Sequence, residues 1–298
     1  MYTTLVDPKQ LQTLFKRQAH TPVLVFDCSF DLADASKADA MFLEKHIAAS
    51  RQAHLERDLS AAAAASDAPP GGAAAVNGGR HPLPQRKRLA QWLRAQGMQN
   101  NTQVVAYDRN DSSFSARLWW MLKWLGHDAV AVLDGGLAAW EEAGGALQQG
   151  PAAAVQATGG FTLGEPRRRL VLTDEVAQNL GRPSQTVVDA RATPRFKGDV
   201  EPLDPVAGHI PGALNRPYTD NFCANGRFKS AVMLKAEWAQ LLAGRDIAHV
   251  VHHCGSGVTA TPNILAMEIA GFAPVVGFYA GGWSEWCRHT PSLPCARG

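Results

Sequence analysis

Short apolar runs recur along this chain at intervals that suit strands: Val23-Leu24-Val25-Phe26, Val104-Val105-Ala106-Tyr107, Thr186-Val187-Val188 and Val250-Val251. Each is too short for a helix, and β-branched residues favour an extended backbone. Between them lie segments whose apolar positions return at helical spacing, such as Leu89-Ala90-Gln91-Trp92-Leu93, Leu118-Trp119-Trp120-Met121-Leu122 and Ile264-Leu265-Ala266-Met267. Strands alternating with helices predict an α/β fold, with a mostly parallel sheet covered by helices on both faces. Trp119, Trp120 and Trp124 share helical spacing and are expected in the core rather than around a ligand.

The pattern repeats once. Val104-Val105-Ala106-Tyr107-Asp108 mirrors Val250-Val251-His252-His253-Cys254, and Gly135-Gly136 follows Asp108 at the same interval as Gly281-Gly282 follows Cys254. Trp140 and Trp286 keep step with those glycines, and His46-Ile47 corresponds to His209-Ile210. Two tandem domains are therefore expected, 1–146 and 166–298, joined by a linker over 147–165 that is rich in alanine, proline and glycine. The first half runs further from its histidine landmark to its loop, and the surplus falls at 61–80. With its alanine run followed by Pro69-Pro70-Gly71-Gly72, that insertion is expected to be a mobile surface loop dispensable for folding.

A chain of 298 residues with 46% hydrophobic composition can bury two ordinary cores, while a net charge of +2 with interspersed signs offers no field for nucleic acid or anionic membrane. The partner expected is a small molecule. Five cysteines at scattered positions have neither CxxC nor Cys/His spacing, so no disulfide framework, metal site or cofactor is expected. His252 and His253, as neighbours on a strand, would face opposite ways and could not share a metal. The opening residues lack a targeting pattern and no apolar run reaches spanning length, which predicts a cytoplasmic protein with no membrane segment.

Cys254 stands apart from Cys28, Cys223, Cys287 and Cys295. It ends a predicted strand and is followed by Gly255-Ser256-Gly257-Val258-Thr259-Ala260 and then a helical segment. A glycine-bearing loop entering a helix turns backbone N–H groups and the helix dipole toward an anion, so a thiol placed there is expected to ionise readily and act as a nucleophile. Enzymes that hydrolyse phosphate esters by a cysteine need an arginine at the end of such a loop, and here that position is Ala260, which disfavours a phosphatase-like hydrolase.

Loop, repeat and the segment Gly208-His209-Ile210-Pro211-Gly212-Ala213 together resemble the tandem-domain rhodanese superfamily, over nearly the whole chain from about Leu24 to Trp286. The Cys254–Thr259 loop is similar to that of 3-mercaptopyruvate sulfurtransferases, whereas thiosulfate-preferring relatives usually carry basic residues there. The resemblance implies two rhodanese-like domains, the first catalytically silent because Asp108 occupies the nucleophile's place. It also implies a Cys254 persulfide formed from a small sulfane-sulfur donor and passed to cyanide or a thiol, with a thioredoxin-like reductant among the acceptors. Gly255, Gly257, Val258 and Thr259 would bind substrate and persulfide through their N–H groups. Ser256 would relay a proton, with help from His81 of Arg80-His81-Pro82-Leu83-Pro84, and Glu56 falls near a family acid. Arg195 of Asp189-Ala190-Arg191-Ala192-Thr193-Pro194-Arg195 would hold the donor's anion, with Arg191 an ion-pair partner. A second arginine that some relatives carry is replaced here by Asp204. A thiosulfate-preferring enzyme, or a module carrying persulfide to a partner protein, are the competing readings.

Overall fold

The computed structural model describes all residues except 18–20, 62–74, 110, 156, 273–274 and 290. By their contacts the described residues form two units, each drawn from several stretches of chain. One comprises Met1–Leu59, Pro84–Arg167 and Phe222–Phe228; the other comprises Ser60–Leu83, Arg168–Asn221 and Lys229–Gly298.

In the first unit the strands are β1 (Leu5–Val6), β2 (Val23–Asp27), β3 (His46–Ile47), β4 (Arg51–Gln52), β5 (Gln103–Tyr107), β6 (Val130–Leu133) and β7 (Leu147–Gln148). Helices α1 (Pro8–Lys16), α2 (Lys37–Glu44), α3 (Arg86–Ala95), α4 (Ser115–Trp124) and α5 (Gly136–Glu142) alternate with them. Local chemistry sets the first helix: the Asp7 carboxylate accepts from Gln10 N at 2.8 Å, Gln10 Oε1 accepts from Asp7 N at 2.9 Å, and Pro8 occupies the first turn where no N–H is needed. A parallel sheet runs β1-β6-β5-β2-β4, and β3 pairs antiparallel with β7 beside it. Val25, Val105, Tyr107, Leu133, Leu137 and Trp140 belong to its core. Helix α4 is buried along its whole length, so Trp119, Trp120 and Trp124 are core residues.

The second unit contains β8 (Arg169–Val171), β9 (Thr186–Asp189), β10 (Leu214–Asn215), β11 (Val250–His253) and β12 (Gly277–Tyr279), with helices α6 (Thr173–Gln178), α7 (Thr193–Lys197), α8 (Ala231–Leu242), α9 (Thr261–Ile269) and α10 (Gly282–Trp286). Its parallel order is β10-β9-β11-β12-β8. Matching each strand to its sister, β8 to β1, β9 to β2, β10 to β4, β11 to β5 and β12 to β6, gives the same order in both sheets. The tandem repeat is thus a repeat of topology, and in each copy the central strand leads into the loop of interest.

The expected insertion needs correction. Residues 62–74 lie outside the described residues, but Val76–Leu83 is not a loose surface segment. Gly78 N donates to Glu285 Oε1 at 3.0 Å and Arg80 N donates to Ser284 Oγ at 3.1 Å, which fastens this strap to α10. Contacts of this kind are why Ser60–Leu83 groups with the second unit although it lies within the first half of the sequence.

Candidate active site

Ligand sites in open parallel sheets gather at the carboxyl ends of strands. In the second unit the end of β11 is Cys254, only 1% exposed, followed by Gly255–Ala260 and then α9. The loop's carbonyls are bonded to neighbouring groups: Cys254 O accepts from Trp283 N at 2.8 Å, Gly255 O from Ser284 N at 2.7 Å, and Val258 O from the Thr261 hydroxyl at 2.8 Å. Gly257 has φ +74, and a Cβ there would stand 2.2 Å from Ala280 O, so this turn admits no side chain.

The sister loop in the first unit shows what such a cradle holds. Asp108 folds its carboxylate back into it, accepting from Ser112 N at 3.0 Å, Phe114 N at 3.0 Å and Ser115 N at 2.8 Å. A cavity of about 310 Å³ opens at this loop, lined in part by Lys45, Asp108, Arg109, Ser112 and Gly136. Three of the loop's amides are already bonded to the protein's own carboxylate.

Around Cys254 the strap supplies a second wall. His81 Nδ1 lies 2.7 Å from Ser256 Oγ, both side chains being buried, so one proton can be shared between hydroxyl and imidazole two residues from the thiol. Glu56, by contrast, is an exposed residue of the first unit.

Three arginines and three carboxylates form a linked cluster beside the loop. Arg191 is buried, binds Asp189 Oδ2 through Nη2 at 2.7 Å and Gly208 O at 2.6 Å, and reaches Glu201 at 3.3 Å. Burial opposes its charge, yet Asp189 and Glu201 outweigh that and hold it above the usual arginine range. Arg195 Nη2 donates to Glu201 Oε1 at 2.6 Å and Asp204 Oδ2 at 3.3 Å. Asp204, with a side chain 0% exposed, also binds Arg80 Nη1. A Cβ on Gly255 would be 3.1 Å from Arg80 Nη2 and 3.6 Å from Arg195 Nη1, so both guanidiniums stand over the residue after the thiol.

The expected residues Cys254, Ser256, His81 and Arg195 are therefore brought together in one unit, and Arg80, Glu201 and Asp204 join them. Sequence reasoning missed the last three in these roles. The available signal was the adjacency of Arg80 to His81. His253 and His252 behave as core groups: burial lowers both, His252 to about 3, where its Nε2 sits 3.1 Å from Met267 Sδ and its ring is edge-on to Trp238. Burial also lifts the Cys28 thiol well up and that of Cys287 to about 11, which keeps both protonated and poor nucleophiles.

A family model described as a rhodanese-like domain matches residues 7–143 and again 172–289. The chain belongs to this family. It is 44% identical, over 96% of both chains, to a Pseudomonas aeruginosa protein named "Probable 3-mercaptopyruvate sulfurtransferase", and 33% identical to the thiosulfate sulfurtransferase of Rattus norvegicus, over 70% of this chain and 71% of that one. Among solved structures, the 3-mercaptopyruvate sulfotransferase SseA from Escherichia coli superposes with a TM-score of 0.75 at 26% identity, covering 95% of this chain and all 100% of its own. With family, loop and relatives in agreement, the protein is a sulfurtransferase.

Proposed function

We propose that this enzyme takes sulfur from 3-mercaptopyruvate onto Cys254 and passes it to a thiol or cyanide. The observation that carries the reading is the Ser256–His81 hydrogen bond beside a cysteine loop that contains no cation. The Cys254 thiolate attacks the donor sulfur. As the new S–S bond forms, the donor's C–S bond breaks and its electron pair passes to the adjacent carbonyl as an enolate, which takes a proton on carbon to give pyruvate. Ser256 and His81 supply that proton. The thiol or cyanide then attacks the outer sulfur and returns Cys254 as thiolate.

Amides of the loop hold the charge on sulfur. Support comes from within the chain: Asp108 engages amides four and six residues after itself, and the equivalent positions in the catalytic loop are Val258 and Ala260. The same comparison supports a silent first domain over about 1–146, since a carboxylate bound in its own cradle offers no soft nucleophile. No helix among the described residues is long and apolar enough to cross a membrane, and all five cysteines are free, which favours a reducing cytoplasm. A thioredoxin-like dithiol is a suitable acceptor there.

Thiosulfate is the rival donor. It brings two negative charges to the thiolate, whereas mercaptopyruvate places its one carboxylate away from the sulfur. Steady-state kinetics with both donors and a common acceptor test this: kcat/KM is expected to be at least about tenfold higher for mercaptopyruvate, equivalent to about 1.4 kcal/mol in the transition state. A higher kcat/KM for thiosulfate overturns the donor assignment and makes the enzyme a thiosulfate-preferring one. Slow turnover of both donors, with persulfide stable until a protein acceptor arrives, favours the carrier reading.

A further inference from the structure

We infer that Arg80, a residue of the inserted strap, is a donor-binding residue that seats the donor's carboxylate together with Arg195; this rests on the mercaptopyruvate reading above. Three observations carry it. Arg80 Nη1 is the atom bound to Asp204, while Nη2 is the atom turned toward Gly255, 3.1 Å from where a Cβ would stand. Arg195 faces the same point, with Nη2 bound to Glu201 and Asp204, and with Nη1 and Nη2 lying 3.6 Å and 3.8 Å from where that Cβ would stand. The buried Asp204 carboxylate thus aims two forks at one place, and their side chains, 23% and 19% exposed, keep an open edge.

The backbone fixes this arrangement. Arg80 N is bonded to Ser284 Oγ, Gly78 N to Glu285, and the next residue, His81, to Ser256. Arg80 is therefore not a solvated side chain that happens to swing nearby. Charge points the same way. Arg191 and Arg195 face Asp189, Glu201 and Asp204, a group that would carry one net negative charge beside an anionic donor; Arg80 brings it to neutrality. The insertion thereby supplies a cation where Asp204 itself cannot.

The test separates a carboxylate seat from a mere latch for the strap. The full-length protein and its Arg80→Met and Arg80→Lys variants are assayed with 3-mercaptopyruvate and with mercaptoacetone, which has the same carbonyl and C–S bond but no carboxylate, using one acceptor. Arg80→Met is expected to lower kcat/KM for mercaptopyruvate at least about tenfold, chiefly through KM, while changing mercaptoacetone less than about threefold; Arg80→Lys recovers part of the loss. Equal losses on both donors, in either variant, would show a positioning latch and overturn the inference, as would no loss on either. A wild-type enzyme that does not prefer mercaptopyruvate over mercaptoacetone has no carboxylate seat and overturns the inference, whereas failure of the donor reading shows separately, as a higher wild-type kcat/KM for thiosulfate than for mercaptopyruvate. Melting temperatures of the variants identify a folding defect, and Arg80→Lys, which keeps stem and charge, carries the comparison if Arg80→Met does not fold.

Discussion

Gly255 has ordinary backbone geometry, so nothing in its φ demands glycine; what it lacks is room on the side of Arg80 and Arg195. A side chain there would press on the Arg80 guanidinium, 3.1 Å from its Cβ, and lie in ordinary contact with that of Arg195. Near the same end of β11, His252 shows how a histidine two residues before the candidate nucleophile can be purely internal. Buried against Met267 and Trp238, it stays neutral down to about pH 3, while in the unfolded chain it takes up a proton near 6.5. Acid therefore favours the unfolded chain across that window, and stability present above about pH 6.5 is lost as pH falls toward 3. For this one group the loss is about 2 kcal/mol between pH 6.5 and 5. Urea titrations of the wild type and His252→Phe at pH 7 and 5 are expected to show a shallower acid loss in the variant by roughly that amount; identical losses would mean that His252 accepts its proton in the fold.

Elements inherit their roles from what caps or docks them. Helix α4 has no capping hydroxyl of its own, and the three bonds from Asp108 hold the loop and its first turn. Replacing Asp108 by Ala strands buried amides and is expected to cost at least about 2 kcal/mol in urea-induced unfolding. Unchanged stability in Asp108→Ala would show that the carboxylate is not what holds the loop. Strands and helices were legible in the sequence because their apolar spacing is local. The strap was not: Val76–Leu83 has no periodicity, and its partners Asp204, Ser256, Ser284 and Glu285 are far away in sequence. Composition suggested a dispensable loop, yet the part described carries both His81 and Arg80 to the cysteine loop.

At the scale of the whole molecule, duplication explains why so much could be read in advance. Two sheets of the same strand order place Asp108 and Cys254 at equivalent ends of central strands, and the interval to Gly136 and Gly282 is conserved between them because each glycine packs on the carbonyl of that residue. Cys254, Ser256 and Arg195 were thus legible from motif and repeat. The Arg80–Asp204–Arg195 arrangement was not, since an aspartate in place of an arginine reads as a loss until a cation from elsewhere in the chain is seen to meet it. The account as a whole stands on sulfur passing through Cys254. Mass mapping of the protein after incubation with 3-mercaptopyruvate, without acceptor, tests this most directly: one added sulfur, about 32 Da, is expected on the peptide containing Cys254 and is removed by cyanide. Label on the peptide of Cys28, Cys223, Cys287 or Cys295 with Cys254 unmodified, or full turnover by Cys254→Ser, would contradict it.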